Sequence, residues 1–309
     1  MKKSAFYSWF FGSFLAVAVL PFCWSTSWSA PIKVVATTGM VGDLVREIGQ
    51  DRVALTTLME TGVDPHLFKA THGDMRQLQQ ADVIFYNGLH LEGKMHSIFN
   101  KMSRMKPVYA VSEQIEKSDL IMYGTVTDPH IWFDVHLWQQ AAKSVLARLV
   151  QQDPDHQSFY QTNALAYQQQ LSDLHQWVLA QIQQLPEKDR VLITAHDAFG
   201  YFGRAYGMEV RALQGISTVS EFGLRDIQQL KQLIVERQIP AVFVESSVPK
   251  KFLQALVAGV SESGHELTIG GELYSDAMGL PSTPEGTYIG MVKHNVNTIV
   301  SALKRGQSI

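Results

Sequence analysis

Residues 154–185 have the sequence PDHQSFYQTNALAYQQQLSDLHQWVLAQIQQL, and this segment divides the chain into two halves. Its apolar residues recur at steps of three and four, which places them on one face of a helix. They are Tyr160, Ala164, Tyr167, Leu171, Leu174, Val178, Ile182 and Leu185. Asp153-Pro154 is typical of a helix start and Pro186 of a helix end. Because no Gly or Pro interrupts residues 155–185, we expect a single helix of about 45 Å rather than two shorter ones.

Short β-rich runs alternate with helical patterns on both sides of this helix. Before it, strands are expected at 32–38, 53–59, 82–87 and 107–111, and helices at 41–49, 74–80 and 94–102. After it, strands are expected at 190–194, 241–245 and 266–269, and helices at 224–237, 251–260 and 285–303. Strand–helix alternation predicts parallel sheets flanked by helices. We therefore expect an α/β fold of two lobes, each a mostly parallel sheet flanked by helices, bridged by one long helix. The expected boundaries are an N-terminal lobe at 30–152, a linker helix at 153–186 and a C-terminal lobe at 187–309.

The first 29 residues have the pattern of a secretory signal peptide. Lys2 and Lys3 precede an apolar run over 5–20, and small residues follow up to Ser29. The run is shorter than the ~20 residues that a bilayer span requires, so no stable membrane insertion is expected after cleavage. Cys23 follows the bulky Phe22, which makes a poor lipoprotein-processing site. We therefore expect a periplasmic protein, with a lipid-anchored form as the less favoured alternative.

The composition limits the possible partners and metal ligands. Hydrophobic residues make up 46% and charged residues 18% of the 309 residues, which is typical of a globular chain. The formal net charge is -3 and the charges are well mixed, so the chain lacks the basic stripe of a nucleic-acid-binding protein. Eleven histidines stand against one cysteine, and that cysteine lies in the signal peptide. A metal site in the exported protein must therefore use His, Asp or Glu.

The tripeptide Asp-Pro-His occurs twice, at 64–66 and at 128–130. Proline stiffens each loop, so both histidines should project from well-defined positions. His196 follows the strand expected at 190–194, and ligand sites of α/β sheets gather at such strand ends. We therefore expect His66, His130 and His196 to face a cleft between the lobes. The remaining histidines are interpreted as solvated surface residues: His72, His90, His96, His136, His156, His175, His265 and His294.

Several further motifs recur in the same order in a known family. They are VVATT at 34–38, GVDPH at 62–66, NGLHLE at 87–92, DPHIW at 128–132, TAHDAFGYF at 194–202, GIST at 215–218 and YSDAMG at 274–279. The mature chain resembles, over essentially its whole length, the ABC-transporter solute-binding proteins for zinc and manganese. The resemblance implies two α/β lobes bridged by a long helix, with one metal ion held between the lobes.

Matched motif by motif, the resemblance implies His66, His130, His196 and Asp276 as the metal ligands. The residues alone do not favour Asp276 over Glu245, which ends the strand expected at 241–245. We interpret Glu245 as a residue that supports a ligand without binding the metal. In addition, we expect Asp134 to have a structural role, and we expect Asp197 to cap the helix that follows His196.

The ligand set leaves the identity of the metal open. Three imidazoles and one carboxylate suit Zn²⁺, Mn²⁺ or Fe²⁺. A histidine at position 196 favours zinc, because manganese-dedicated members of the family often have a carboxylate there. The short segment 113–127 contains no histidine, so the His-rich loop that zinc-dedicated members often carry is missing. This second feature argues against zinc, in the opposite direction to His196.

The resemblance implies metal capture without catalysis. We expect a monomer that binds zinc or manganese and delivers it to an ABC-type permease in the inner membrane. The alternative is an exported zinc-dependent hydrolase that uses the same histidines, with Asp276 or Glu245 as its base. No His-Glu-x-x-His signature supports this alternative. A surface adhesin is a third and weaker possibility, since no adhesive module is evident.

Overall fold

The structure, a computed structural model, describes residues 30–220 and 222–305. The signal peptide expected at 1–29, with Cys23, lies outside the described residues. Four strands of the N-terminal half form one parallel sheet in the order β2-β1-β3-β4. They are β1 (Ile32–Ala36), β2 (Val53–Thr57), β3 (Val83–Tyr86) and β4 (Val108–Ala110). The helices between them are α1 (Gly39–Gly49), α2 (His72–Gln80) and α3 (His96–Met102).

A hairpin and a long helix complete the N-terminal half. The antiparallel strands β5 (Met122–Tyr123) and β6 (Val126–Thr127) form the hairpin. Helix α4 (Val135–Gln152) follows, and it is not among the helices expected from the sequence. The Asp134 side chain accepts a hydrogen bond from the backbone N–H of His136 and so caps α4. This agrees with the structural role expected for Asp134.

Helix α5 (Gln157–Ile182) is continuous, which confirms the prediction of a single long helix. It is shorter than the pattern predicts, because Pro154–His156 form a separate 3₁₀ turn. Asp153 accepts hydrogen bonds from the side chains of His156 and Tyr160, which fixes this turn. At the other end, residues 183–185 lie in a turn before Pro186, as expected for residues that precede proline.

The C-terminal half contains two parallel strand pairs. Strand β7 (Val191–His196) pairs with β8 (Glu209–Gln214), and β9 (Ala241–Glu245) pairs with β10 (Thr268–Leu273). Strand β7 also contacts β9, so the carboxyl ends of these strands lie near one another. Four helices surround the strands: α6 (Gly200–Tyr206), α7 (Leu224–Glu236), α8 (Lys251–Ser261) and α9 (Tyr288–Arg305).

Helix α5 packs against elements of both halves. It contacts α1 and α4 on one side of the sequence and α6 and α9 on the other. All eight apolar residues of its predicted face are buried, and they belong to a core that includes residues of both halves. The long helix therefore bridges two α/β lobes, as the sequence pattern predicts.

One local prediction is wrong. Asp197 does not cap the helix that follows His196, because α6 begins at Gly200 and Phe199 occupies the N-cap position. The Asp197 carboxylate instead accepts a hydrogen bond from the hydroxyl of Tyr123 in the hairpin, at 2.9 Å. Within residues 30–220 and 222–305, none of the helices has the length and apolarity needed to cross a membrane.

Candidate metal centre

Four side chains from distant parts of the sequence come together where the lobes meet. His66 lies in the loop after β2, and His130 lies just before the 3₁₀ turn Ile131–Phe133 that leads into α4. His196 is the last residue of β7, and Asp276 follows β10. All four side chains are buried. The structure therefore brings together the four residues selected in the sequence analysis.

The distances between their polar atoms match those around a single small cation. His66 Nε2 lies 3.3 Å from His130 Nε2 and 3.6 Å from Asp276 Oδ2. Asp276 Oδ1 lies 3.4 Å from His130 Nε2, and Asp276 Oδ2 lies 3.2 Å from His196 Nε2. Tetrahedral ligands at about 2.0–2.1 Å from Zn²⁺ are separated from each other by about 3.3–3.4 Å. One ion at the centre can therefore contact all four residues.

Three buried atoms of this cluster have no hydrogen-bond partner: His196 Nε2, Asp276 Oδ1 and Asp276 Oδ2. Burying polar or charged atoms without partners is costly unless a counter-charge or a metal compensates them. Both carboxylate oxygens also face imidazole nitrogens. A divalent cation would satisfy these atoms, so the donor set fits a metal ion.

Two carboxylates lie behind the imidazoles and orient them. Asp128 Oδ1 accepts a hydrogen bond from His130 Nδ1 at 2.7 Å, and Glu245 Oε2 accepts one from His196 Nδ1 at 2.5 Å. With the proton held on Nδ1 alone, as metal binding requires, each Nε2 would present its lone pair toward the centre. This contact agrees with the supporting role expected for Glu245. Asp128 was not among the residues expected at the site, although the repeated Asp-Pro-His motif contains it.

The two Asp-Pro-His motifs fold alike. In each, the aspartate side chain accepts a hydrogen bond from the backbone N–H of the histidine two residues later, at 2.8 Å for Asp64 and 3.0 Å for Asp128. Such a bond is typical of an Asx turn. Asp64 also accepts a hydrogen bond from the Thr218 hydroxyl of the other half, at 2.6 Å. Each aspartate thus fixes the backbone of its histidine.

Charge is unevenly distributed among the four residues before metal binds. Burial acts to raise the pKa of Asp276, but the three surrounding imidazoles outweigh it and hold this pKa well below the usual range. Burial lowers the pKa of His66 to about 4, against the opposing effect of Asp276. Burial also acts to lower the pKa of His196, but Glu245 and Asp276 together raise it well above its ordinary value. Before metal binds, these shifts favour a carboxylate at Asp276 and a protonated His196, whose proton an incoming cation would displace.

Hydrogen bonds between the halves hold the ligand loops in place. The indole N–H of Trp132 donates to the carbonyl of Ser275, next to Asp276, at 3.0 Å. The Tyr201 hydroxyl donates to the carbonyl of Asp128 at 2.8 Å and accepts from the backbone N–H of Ile121 at 3.1 Å. The ligands of one lobe are thus positioned partly by residues of the other.

Four of the histidines interpreted as solvated are instead half-buried and hydrogen-bonded. His156 contacts Asp153, and His175 contacts the Tyr206 hydroxyl. His265 and His294 contact the backbone carbonyls of Ile239 and Glu272, respectively. Their interpretation as solvated residues is wrong, because each ring is partly shielded from solvent and is hydrogen-bonded to a neighbouring residue. His72, His90, His96 and His136 are exposed, as expected.

A buried group of three imidazoles and one carboxylate between two bridged α/β lobes defines a binding protein for a divalent metal ion. Residues 34–302 match the family described as "ZnuA: Zinc-uptake complex component A periplasmic", and the chain belongs to this family. The manganese-binding lipoprotein MntA of Bacillus subtilis is 50% identical over 275 residues, which cover 88% of this chain and 90% of that protein. The zinc-binding protein TroA of Treponema pallidum is 51% identical over 273 residues.

Solved structures support the same relationship. The periplasmic zinc-binding protein TroA of Treponema pallidum matches with a TM-score of 0.87 and 50% identity, over 88% of this chain and 99% of that one. Fe(III)-bound YtgA of Chlamydia trachomatis matches with a TM-score of 0.81 and 28% identity, over 88% and 98%. The family resemblance stated from the sequence motifs is confirmed.

Proposed function

We propose that this protein captures one divalent transition-metal ion, zinc or manganese, through His66, His130, His196 and Asp276, and delivers it to an ABC-type permease. The observation that carries the proposal is the convergence of four buried donor groups at metal-ligand spacing, three of whose atoms lack any other partner. Membership of a family of metal-uptake binding proteins supports the delivery step.

The relatives and the ligand set both support zinc and manganese as cargo. Two relatives of about equal similarity are named for different metals, manganese for MntA and zinc for TroA. The Irving–Williams order predicts that a site of this kind binds Zn²⁺ more tightly than Mn²⁺. We therefore expect the supply of metal, rather than affinity alone, to decide which ion is carried.

We propose that the metal is cargo and that the protein does not catalyse a reaction. Catalytic zinc sites keep three protein ligands and an open position for water, whereas this centre offers four protein ligands. His130 and His196 are completely shielded from solvent, which leaves little room for a substrate. Members of the family are transport binding proteins, which weighs against the hydrolase alternative.

We propose segments 30–152, 153–186 and 187–309 as lobe, linker and lobe of an exported monomer. Helix α5 contacts helices of both halves, which supports this division.

The sequence favours release after cleavage at Ser29, but MntA of Bacillus subtilis and several other relatives are named lipoproteins. We therefore revise that preference and propose a lipid anchor on Cys23. Intact mass spectrometry of the membrane fraction tests it: a Cys23→Ala variant should lose the acylated form.

The experiment that tests the proposed function measures metal loading of the purified full chain. The variants His66→Ala and Asp276→Ala should each lose stoichiometric zinc and manganese, because each removes one of four ligands. The matched control is His72→Ala, which changes an exposed histidine in the same lobe as His66. Full loading of both ligand variants would refute the assignment.

A further inference from the structure

A strained loop between β3 and α3 is held by a buried carboxylate. Gly88, Leu89 and His90 are three consecutive residues with left-handed φ angles of 88°, 55° and 66°. Leucine and histidine seldom adopt this conformation, and such strain persists only where the surroundings impose it. Glu92, which is buried, imposes it here by accepting hydrogen bonds from the backbone N–H groups of Asn87 and Gly88.

The same loop is tied to the motif that carries His130. The Asn87 side chain donates a hydrogen bond to the carbonyl of Pro129 at 2.9 Å. The loop therefore has a fixed position relative to the metal centre. The fixed backbone turns His90 toward solvent, where its side chain is exposed.

His90 lies beside His96, the first residue of α3. Their ring centroids are 5.5 Å apart, and His96 is exposed as well. Within the metal centre, the three imidazole rings that meet around one point have centroid separations of 5.2–6.0 Å. The two exposed rings thus have the spacing of imidazoles that can share one ion.

The position of His90 connects this pair to the main centre. His90 lines a cavity of about 300 Å³ together with His96 and Glu92. It also lines a second cavity, of about 370 Å³, together with His66. A metal ion held at His90 would therefore lie beside a cavity that His66 also lines.

We propose that His90 and His96 form a second, weaker site for a divalent transition-metal ion, with water completing the coordination. Glu92 lines the same cavity, but its oxygens already accept hydrogen bonds from Thr37, Asn87 and Gly88. Throughout residues 30–220 and 222–305, the main centre is the only group of three or more donor side chains placed to share an ion. Two imidazoles bind borderline metals such as Zn²⁺ less tightly than four ligands do. Metal binding at His90 and His96 does not depend on the proposed function.

Equilibrium dialysis against increasing free Zn²⁺ tests the second site in the full chain. His90→Asn suits the left-handed backbone, because asparagine tolerates that conformation. His96→Gln keeps a polar side chain beside Asn100, which contacts the His96 ring at 3.0 Å. The wild-type protein should bind one tight and one weak ion, and each variant should bind only the tight one. The control variant His72→Gln should retain both ions.

Three results would overturn the proposal. They are a wild-type protein that binds the tight ion and no weak one, a weak ion that survives both substitutions, and an equal loss of that ion in the His72→Gln control. The Asp276→Ala variant separates this proposal from the main one. It should bind the ion at the main centre more weakly, because three imidazoles remain there, and should keep the ion at His90 and His96. Adding His90→Asn to the same chain should then remove that second ion. A wild-type protein that binds only the weak ion would refute the proposed function and leave the second site standing.

Discussion

Replacing Glu245 by glutamine tests how strongly the carboxylate behind His196 contributes to metal affinity. Glu245 accepts two hydrogen bonds from one residue, at 2.8 Å from the His196 backbone N–H and at 2.5 Å from its Nδ1. A carboxamide has a single acceptor oxygen, so one of these contacts must be lost. If the amide NH₂ faces Nδ1, it favours the imidazole tautomer with its proton on Nε2, which blocks the metal. If it faces the backbone N–H, two donors oppose each other in a buried place.

Either arrangement weakens binding by an amount that can be measured. Loss of a hydrogen-bonding partner behind a metal-ligating histidine typically costs about 10–100-fold in affinity, which corresponds to about 1.4–2.7 kcal/mol. Competition titration of Zn²⁺ against a chelator measures the change, and thermal unfolding of the metal-free protein verifies that the variant folds. The control is Glu266→Gln, an exposed carboxylate of the same lobe. Zinc affinity within twofold of wild type in Glu245→Gln would refute this reasoning.

Three further predictions follow from the charges, the contacts between the lobes and the packing of the long helix. The pKa of His196 is raised well above its ordinary value, which favours the protonated ring before metal binds. Zinc binding near neutral pH should therefore release about one proton, and it should weaken as the pH falls. Calorimetry in buffers of different ionisation enthalpy measures this number, and a value of zero would contradict the charge assignment. Tyr201→Phe removes a hydroxyl that bonds the Asp128 carbonyl and the Ile121 N–H, and should reduce the free energy of unfolding by about 1–3 kcal/mol. Leu171→Ala opens a cavity on the fully buried face of α5 and should cost about 2–5 kcal/mol. Urea denaturation of the metal-free protein tests both substitutions, and unchanged midpoints would show that these contacts do not stabilise the fold.

The elements that were predictable from sequence are those whose own pattern decides their structure. Helix α5 was predictable because eight apolar positions repeat with helical spacing and no Gly or Pro interrupts them. Helix α4 carries a comparable signal in its buried Trp138, Val145 and Leu149, so it was predictable from the sequence as well, although it is not among the helices expected above.

Strand β10 shows what the local pattern could not reveal. Its predicted range, 266–269, ends before Gly270 and Gly271, which weaken a strand pattern. The strand nevertheless runs to Leu273, with a register shift between Ile269 and Gly271. A Cβ atom at Gly270 would lie 2.7 Å from the Cβ of Ala302 on α9. Glycine in this strand therefore allows α9 to pack closely against it. This is a tertiary contact, which the local sequence pattern does not show.

The candidate centre was partly predictable for a similar reason. The stiff Asp-Pro-His loops and the strand end at His196 indicated three donors, and the structure brings them together. The residues alone could not separate Asp276 from Glu245, since Glu245 ends one strand of the C-terminal lobe and Asp276 comes shortly after another. The three-dimensional structure distinguishes them: Glu245 contacts Nδ1 of His196, whereas Asp276 faces Nε2. Which nitrogen of an imidazole a carboxylate contacts depends on the strand register and on the path of the loops, and no local sequence pattern contains that information.

Anomalous diffraction at the zinc absorption edge from crystals of the zinc-loaded protein addresses the central claim most directly. We predict one strong anomalous peak within bonding distance of the Nε2 atoms of His66, His130 and His196 and of the Asp276 carboxylate, at about 2.0–2.2 Å. A strongest peak elsewhere, or a zinc ion that any of these four residues fails to contact, would contradict the account.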